Sequence, residues 1–425
     1  MAPSHPTTPD PDLRLRLPPS PVLIIGAGVA GLTLAQGLRL HSVPFRLFER
    51  YARSNSLQGH RFRISGDGRA ALNSVLSPPL RRLLARTAAE THPLAPRYVD
   101  AVGVDVERKG RILDYPAPVP TGDLEAMPVD RAWIRLLTTL GIEDAIEYEK
   151  EFESYEVLGG DDRGGDEGVR VQFTDGSVVH GRLLVGADGI MSRVRKQLQP
   201  DRKLLDLERW VMWGRTPLTE ELKRNVPEDM LSWCMYVDKE ANVQVVVEPM
   251  VWSKNVRQES EARLPEFPDY VYWVVCTAPS QYAKHLPKTV DEKRSFLEGV
   301  TENWHPAMKT LLLSSAHDLS ACKPVLSSKP DIEIVSAHAQ PRRVTLIGDA
   351  AHPMSPMGGS GGDTAIRNAA HLAQTIAGKG TTASSIQDFE IRMEARAKDK
   401  ILHSFRGGQK FWRGKEWTEY SEIDV

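Results

Sequence analysis

An α/β fold is expected for this chain: a parallel sheet flanked by helices, with a smaller mixed sheet inserted into it. Three observations predict it. VLIIGAGVAGLTLAQGLRL (22–40) reads as a buried strand, a glycine turn and a helix, and FRLF (45–48) is the strand that completes a βαβ unit. Two later apolar runs, RLLVGADG ending at Gly189 and RVTLIGDAAH ending at His352, each stop in a small-residue turn carrying an aspartate, and could lie side by side in the same parallel sheet. Between them, residues 205–290 concentrate β-branched and aromatic residues in RWVMWGRTPL, MLSWCMYVD, NVQVVVEPMVW and DYVYWVVCTA, the composition of a mixed or antiparallel sheet.

In chain order, MAPSHPTTPDPDLRLRLPPSP is rich in proline and polar residues and lacks a continuous hydrophobic segment, so 1–20 is expected to be a disordered leader and not a secretory signal. A chain of 425 residues exceeds the size at which single cores keep growing, so two domains with a cleft between them are expected. Residues 21–75, 105–200 and 325–400 are assigned to a discontinuous nucleotide-binding domain, and 76–104 with 201–324 to a substrate domain. LGGDDRGGDEG (158–168) is expected to be a solvated hairpin loop between FESYEV and VRVQF. Beyond Lys398 the sequence is polar and broken, so 401–425 is expected to be a C-terminal tail.

Composition excludes several function classes. With 41% hydrophobic and 26% charged residues, and no apolar run long enough to cross a bilayer, an integral membrane protein is not expected. A formal net charge of -2 lacks the positive excess that nucleic-acid backbones require. Cys234, Cys276 and Cys322 are far apart, with no CxxC pair and no histidine clustering, so buried thiols in a reducing, cytoplasmic setting are expected and no metal site is.

Gly26, Gly28 and Gly31 fit GxGxxG between strand and helix. The first permits the turn, the second lets backbone approach a pyrophosphate, and the third brings helix against strand. Helix amides and the positive end of the dipole would face the phosphates. Glu49 closes the second strand where an acid accepts the ribose hydroxyls, and the adjacent Arg50 is assigned with it to the nucleotide. An acid there disfavours a 2′-phosphate, which leaves FAD or NAD. A second fingerprint, as in reductases with separate FAD and NAD domains, is not visible, and this points to one tightly held nucleotide.

GDAAHPMSPMGGSGGDTAIRNAAHLA (348–373) decides between them. With GAGVAG, VDRAW and GADGIMSRVR in the same order, the chain resembles the class A flavin monooxygenases, relatives of p-hydroxybenzoate and salicylate hydroxylases, and particularly the short fungal members that tailor secondary metabolites. The resemblance implies a Rossmann-like FAD-binding domain of the class A flavoprotein hydroxylase type, with an inserted mixed β-sheet substrate domain. It implies that Asp349 holds the ribityl chain and that Pro356, Gly359, Gly361 and Gly362 lie along the flavin's pyrimidine edge. It further implies that Arg131 reaches FAD, that Asp188 supports FAD and a passing nicotinamide, and that Arg195 lies near the isoalloxazine as the candidate catalytic residue. A helix-surface arginine is the plain alternative for Arg195.

The implied reaction consumes NADPH or NADH transiently and passes one oxygen of O2, through a flavin C4a-hydroperoxide, to an organic small molecule. The aromatic content of the inserted sheet points to an apolar, aromatic or polycyclic substrate, with hydroxylation and epoxidation both open. An FAD-dependent dehydrogenase or oxidase, or a non-catalytic flavin-binding protein, is the alternative, and monomer and homodimer are both open. Ser360 and Asp363 form an S-x-x-D helix-start signal before an apolar face of Ile366, Ala369, Ala370 and Ala373. These two residues replace a glutamine and an asparagine usual in the family, and the aspartate adds charge near the flavin edge; Asn368 replaces an aspartate. The WxWxIP signature of flavin halogenases is missing. His352 is expected to be a structural loop residue, and Trp213, Trp233, Tyr236 and Trp273 core residues.

Overall fold

The computed structural model describes residues 20–55, 60–91, 98–102, 126–159, 168–231, 233–335 and 342–425. The expected leader, the loop at 160–167 and the stretch 103–125 lie outside the described residues, apart from Ser20. In chain order the elements are β1 (Val22–Ile25), α1 (Val29–Leu40), β2 (Phe45–Glu49), β3 (Arg61–Ile64), α2 (Gly66–Val75), α3 (Pro78–Thr87), β4 (Tyr98–Asp100), β5 (Met127–Asp130), α4 (Arg131–Thr139) and β6 (Ile146–Tyr148). There follow β7 (Phe152–Leu158), β8 (Gly168–Phe173), β9 (Val178–Gly181), β10 (Leu183–Gly186), α5 (Arg193–Leu198), β11 (Leu204–Pro217), α6 (Glu220–Asn225), β12 (Cys234–Asp238), β13 (Val243–Met250), α7 (Val256–Glu259) and β14 (Tyr270–Thr277). The last are α8 (Val290–Val300), α9 (Pro306–Leu313), β15 (Ala321–Ser327), β16 (Val344–Leu346), α10 (Gly361–Lys379), α11 (Ala383–Trp412) and β17 (Glu422–Ile423).

The two distant aspartate-ended runs do become neighbours. A five-stranded sheet runs β16-β10-β1-β2-β6, all parallel, and its central strand β1 is buried at every position because α1 covers one face and the β8–β9 strands pack against the other, with Phe48 of β2 on Phe173 of β8. The apolar face of α10 (Ile366, Ala369, Ala370, Ala373) is buried, and Gly37 of α1 lets the two helices touch, since a Cβ there would collide with Ala373. β7, β8 and β9 form a separate antiparallel sheet, and β3 pairs with β5.

The inserted sheet has the order β15-β11-β14-β13-β12-β4, with β17 added beside β11. Its alternation of faces organises the molecule. Met212, Trp273, Val245, Val247, Tyr236 and Cys322 point into a core closed by α8 and α9. Trp213, Arg215, Tyr272, Val274, Val246 and Met235 occupy the opposite face, toward the nucleotide domain. All three cysteines are free and buried.

Two boundaries differ from expectation. Residue 325 falls inside β15, which belongs to the inserted sheet. The expected tail is the second half of α11 plus β17: Ile401, Phe405 and Trp412 continue the buried stripe of Ile386, Phe389, Met393 and Ala397 at helical spacing. Arg209 fixes this end by donating to the Trp412 carbonyl and lying 5.7 Å over its ring.

Candidate active site

Between the parallel sheet and the inserted sheet lies a cleft of about 2020 Å³. A pocket for one small-molecule ligand measures roughly 300–1,000 Å³, so there is room for a dinucleotide and a second molecule.

One end is the glycine turn. Gly26 has φ +104°, and a Cβ on it or on Gly31 would strike backbone, so both close the turn by packing. Gly31 accordingly does not line the cleft, whereas a Cβ at Gly28 would meet no atom within 4 Å and its open side faces the cavity. Helix α1 starts there with no side-chain cap and no acid in its first turn, so its amide end is left for an anion. Glu49 is buried, and its carboxylate accepts from the Ala27 and Tyr51 amides at 2.9 and 3.0 Å. Arg50 lines the same end.

Sequence reasoning missed Arg135, which donates to the Ala27 carbonyl at 3.1 Å and lies 3.9 Å from Glu49. Its position one helical turn beyond Arg131 was the available signal. Arg131 opens α4, where the Asp130 side chain caps the helix through the Trp133 amide at 2.9 Å, and it lines the cleft. Asp349 faces the cleft as well; burial raises its carboxyl, and Arg131 and Arg195 oppose the rise. Asp188 is likewise raised by burial, while Ser192 and the Val194 amide bond its carboxylate.

Arg195 is not at the cleft surface. It is 1% exposed and donates to the carbonyls of Ile190, Asp349 and Ala350 at 2.5, 3.4 and 3.2 Å, so the expected substrate-facing arginine holds the GDAAH turn from behind. Arg202 likewise donates to the Ala351 carbonyl of this turn, and also to the Ser328 hydroxyl. His352 is fully buried and its Nε2 lies 2.9 Å from Asn368 Nδ2, which makes Nε2 the acceptor; Asn368 in turn accepts from Arg396. The structural role expected for His352 is what the contacts describe.

Pro356, Gly359, Gly361 and Gly362 line the cleft, with Gly359 at φ +59° turning the chain into α10. The capping signal fails: Ser360 makes no cap bond and donates to the Gly358 carbonyl. Asp363 lines the cleft too, but its carboxylate accepts from Ser65 N and Oγ, each at 2.8 Å, and lies 3.8 Å from Arg367. Its charge is therefore matched by protein, not presented unpaired to the cavity.

The second half of the cleft is walled by the inserted sheet. Tyr236 and Trp273 are core residues as expected, but Trp213 and Trp233 line the cleft, because strand alternation puts position 213 opposite Trp273's face. His60 stacks on Trp213 with ring centroids 6.2 Å apart, and Arg61 lies 5.3 Å over Tyr272. Burial, Arg215, Arg131 and Lys293 push the His60 imidazole down to about 3, so it is neutral. At the far side Met357 and Phe411 join Met235 and Val246 in an apolar cluster.

Residues 145–388 match the family model described as FAD binding domain. The chain is similar to the dual O-methyltransferase/FAD-dependent monooxygenase CTB3 of Cercospora beticola, 31% identical over 95% of this chain and 47% of that protein, so it spans about half the length of this relative. It is similar to the FAD-dependent monooxygenase phnB of Penicillium herquei, 27% identical over 96% of this chain and 94% of that one. Among solved structures, Klebsiella pneumoniae HpxO complexed with FAD and uric acid has a TM-score of 0.70 at 20% identity, covering 96% of this chain and 92% of that one. A salicylate hydroxylase substrate complex has 0.65 at 22%, covering 94% and 90%. The open glycine turn, the acid closing β2 and the GDAAH loop thus have their counterpart in a known fold, and the chain belongs to the FAD binding domain family that the class A flavoprotein hydroxylases share.

Proposed function

We propose that this chain is an FAD-dependent, NAD(P)H-consuming monooxygenase that places one oxygen atom of O2 on an apolar, aromatic or polycyclic small molecule in secondary metabolism. The observation that carries this reading is the two-part cleft, with a nucleotide-shaped end on the parallel sheet and an aromatic and apolar wall on the inserted one. Relatives of matching length bear the name FAD-dependent monooxygenase, which supports it.

When bound, FAD supplies the electron transfer and oxygen activation. The α1 amides and the Gly28 opening receive its pyrophosphate. Glu49, pre-oriented by two backbone amides, accepts the ribose hydroxyls, with Arg50, Arg131 and Arg135 around it. Asp349 takes the ribityl hydroxyls, with Asp188 beside it on the cleft wall. Pro356, Gly359, Gly361 and Gly362 would hold the pyrimidine edge of the flavin ring at the N-terminus of α10, an end where a helix stabilises negative charge by about 0.3–1 kcal/mol, or more when buried. The apolar wall holds the substrate and excludes water.

Purified protein should be yellow and release FAD, not FMN, on denaturation, and an aromatic ligand should stimulate NADPH-driven oxygen uptake. Glu49→Ala should lower FAD affinity about tenfold or more, since it removes a charged acceptor from ligand and turn alike. A protein that binds no flavin under any loading condition would overturn the reading.

A further inference from the structure

Two arginines of β3 share one carboxylate. Arg63 donates to Glu248 Oε1 from Nε and Nη2 at 3.0 and 2.5 Å, and Arg61 ion-pairs with the other oxygen. Their side chains are 12%, 10% and 3% exposed for Arg63, Arg61 and Glu248, so the trio carries one buried positive charge in excess. An uncompensated buried charge is costly unless something pairs with it.

The neighbouring acid is already committed. Asp130 accepts from Tyr270 Oη at 2.7 Å and from the Trp133 amide, and lies 3.8 Å from Arg215, which itself stacks on Tyr270. Arg61 Nε and His60 Nδ1, both buried, have no hydrogen-bond partner among the described residues, and both side chains line the cleft. Burial first of all keeps His60 neutral, and the cations Arg215, Arg131 and Lys293 that add to this favour an anion in the same place. Away from this corner the wall turns apolar through Trp213, Val246, Met235 and Phe411.

We propose that His60 and Arg61 form an anion-recognising subsite in the substrate half of the cleft, binding an ionised carboxylate or enol oxygen of an aromatic substrate whose apolar body lies along Trp213 and Val246. The proposal rests on the reading of this half as the substrate site. It makes Arg61 a specificity-determining residue, with the excess charge of the Arg61–Glu248–Arg63 trio as its source.

The test is calorimetry on FAD-loaded protein with 2-naphthoate, the acidic enol 2-hydroxy-1,4-naphthoquinone, and neutral 2-naphthamide. At least one anion should bind about tenfold or more tightly than the amide, the scale of a charged hydrogen bond, and the better of the two distinguishes carboxylate from enol. Arg61→Met leaves a balanced Arg63–Glu248 pair, so it should fold, retain FAD and bind 2-naphthamide as before while losing the anion preference. Glu248→Gln, which adds net positive charge, should widen it. Equal binding of acid and amide, no binding of any probe, or a preference surviving in Arg61→Met would overturn the subsite. Because binding is read without turnover, a chain that discriminates anions yet transfers no oxygen loses the proposed activity and keeps the subsite.

Discussion

Arg195 shows how burial reassigns a residue. Its guanidinium is spent on three main-chain carbonyls of the turns that carry Asp188 and Asp349. Removing it leaves those acceptors buried and unpaired, at a cost of about 3 kcal/mol. Arg195→Ala should therefore lower Tm and FAD content together; normal FAD binding and Tm with turnover abolished would return it to the substrate side. His352 gives a pH dependence. Burial, with Arg202 and Arg396, holds its imidazole down to about 4, while the unfolded chain titrates near 6.5. The folded state thus resists a proton that the unfolded state takes up: the stabilisation from neutral His352 is complete above pH 6.5 and is lost as pH falls toward 4, by roughly 3 kcal/mol. Melting curves from pH 7 to 4.5 should show a shallower fall for His352→Gln than for the parent. At this scale the sequence located residues better than roles. GAGVAG, Glu49 and GDAAH were readable because backbone geometry forces small residues and an acid at fixed spacing. Arg195 and Arg131 share one residue type, and only the fold separates the arginine behind the turn from the one lining the cleft.

Elements were legible where periodicity is local. The βαβ unit and the β-rich insertion follow from apolar spacing, and the pairing of β10 with β16 from their shared aspartate-ended turns. The S-x-x-D signal misled because Asp363 has a stronger claim elsewhere: Ser65, capping α2, offers it two donors, and Gly68 leaves the room, since a Cβ there would strike the carboxylate. Helix α11 was missed because its polar residues outnumber the stripe of Ile401, Phe405 and Trp412 that holds it down. That stripe makes a prediction. Ending the chain after Lys400 removes those core residues, β17 and the cleft-lining His403 and Phe411. The truncated protein should lose FAD and its cooperative melt, by flavin content and circular dichroism. A shortened chain that keeps both would show the segment to be the tail its composition suggested.

For the whole molecule, the consequence of alternation on one sheet is a cleft with two characters. The face bearing Trp213 and Tyr272 meets the nucleotide domain, and the face bearing Trp273 and Tyr236 makes its own core. No helix among the described residues is long and apolar enough to cross a membrane. The cleft was expected from chain length and the insertion, but the charge arrangement at its polar corner was not, because Arg61, Arg63 and Glu248 are 185 or more residues apart in pairing partners and meet only when β3 crosses β13. The central claim is oxygen transfer at this cleft. It is tested most directly by turnover with NADPH under ¹⁸O2 and mass spectrometry of the product from an aromatic substrate that stimulates NADPH oxidation. One ¹⁸O atom per product molecule is the result predicted; an oxidised product carrying no label, with the label recovered only as hydrogen peroxide, would contradict it.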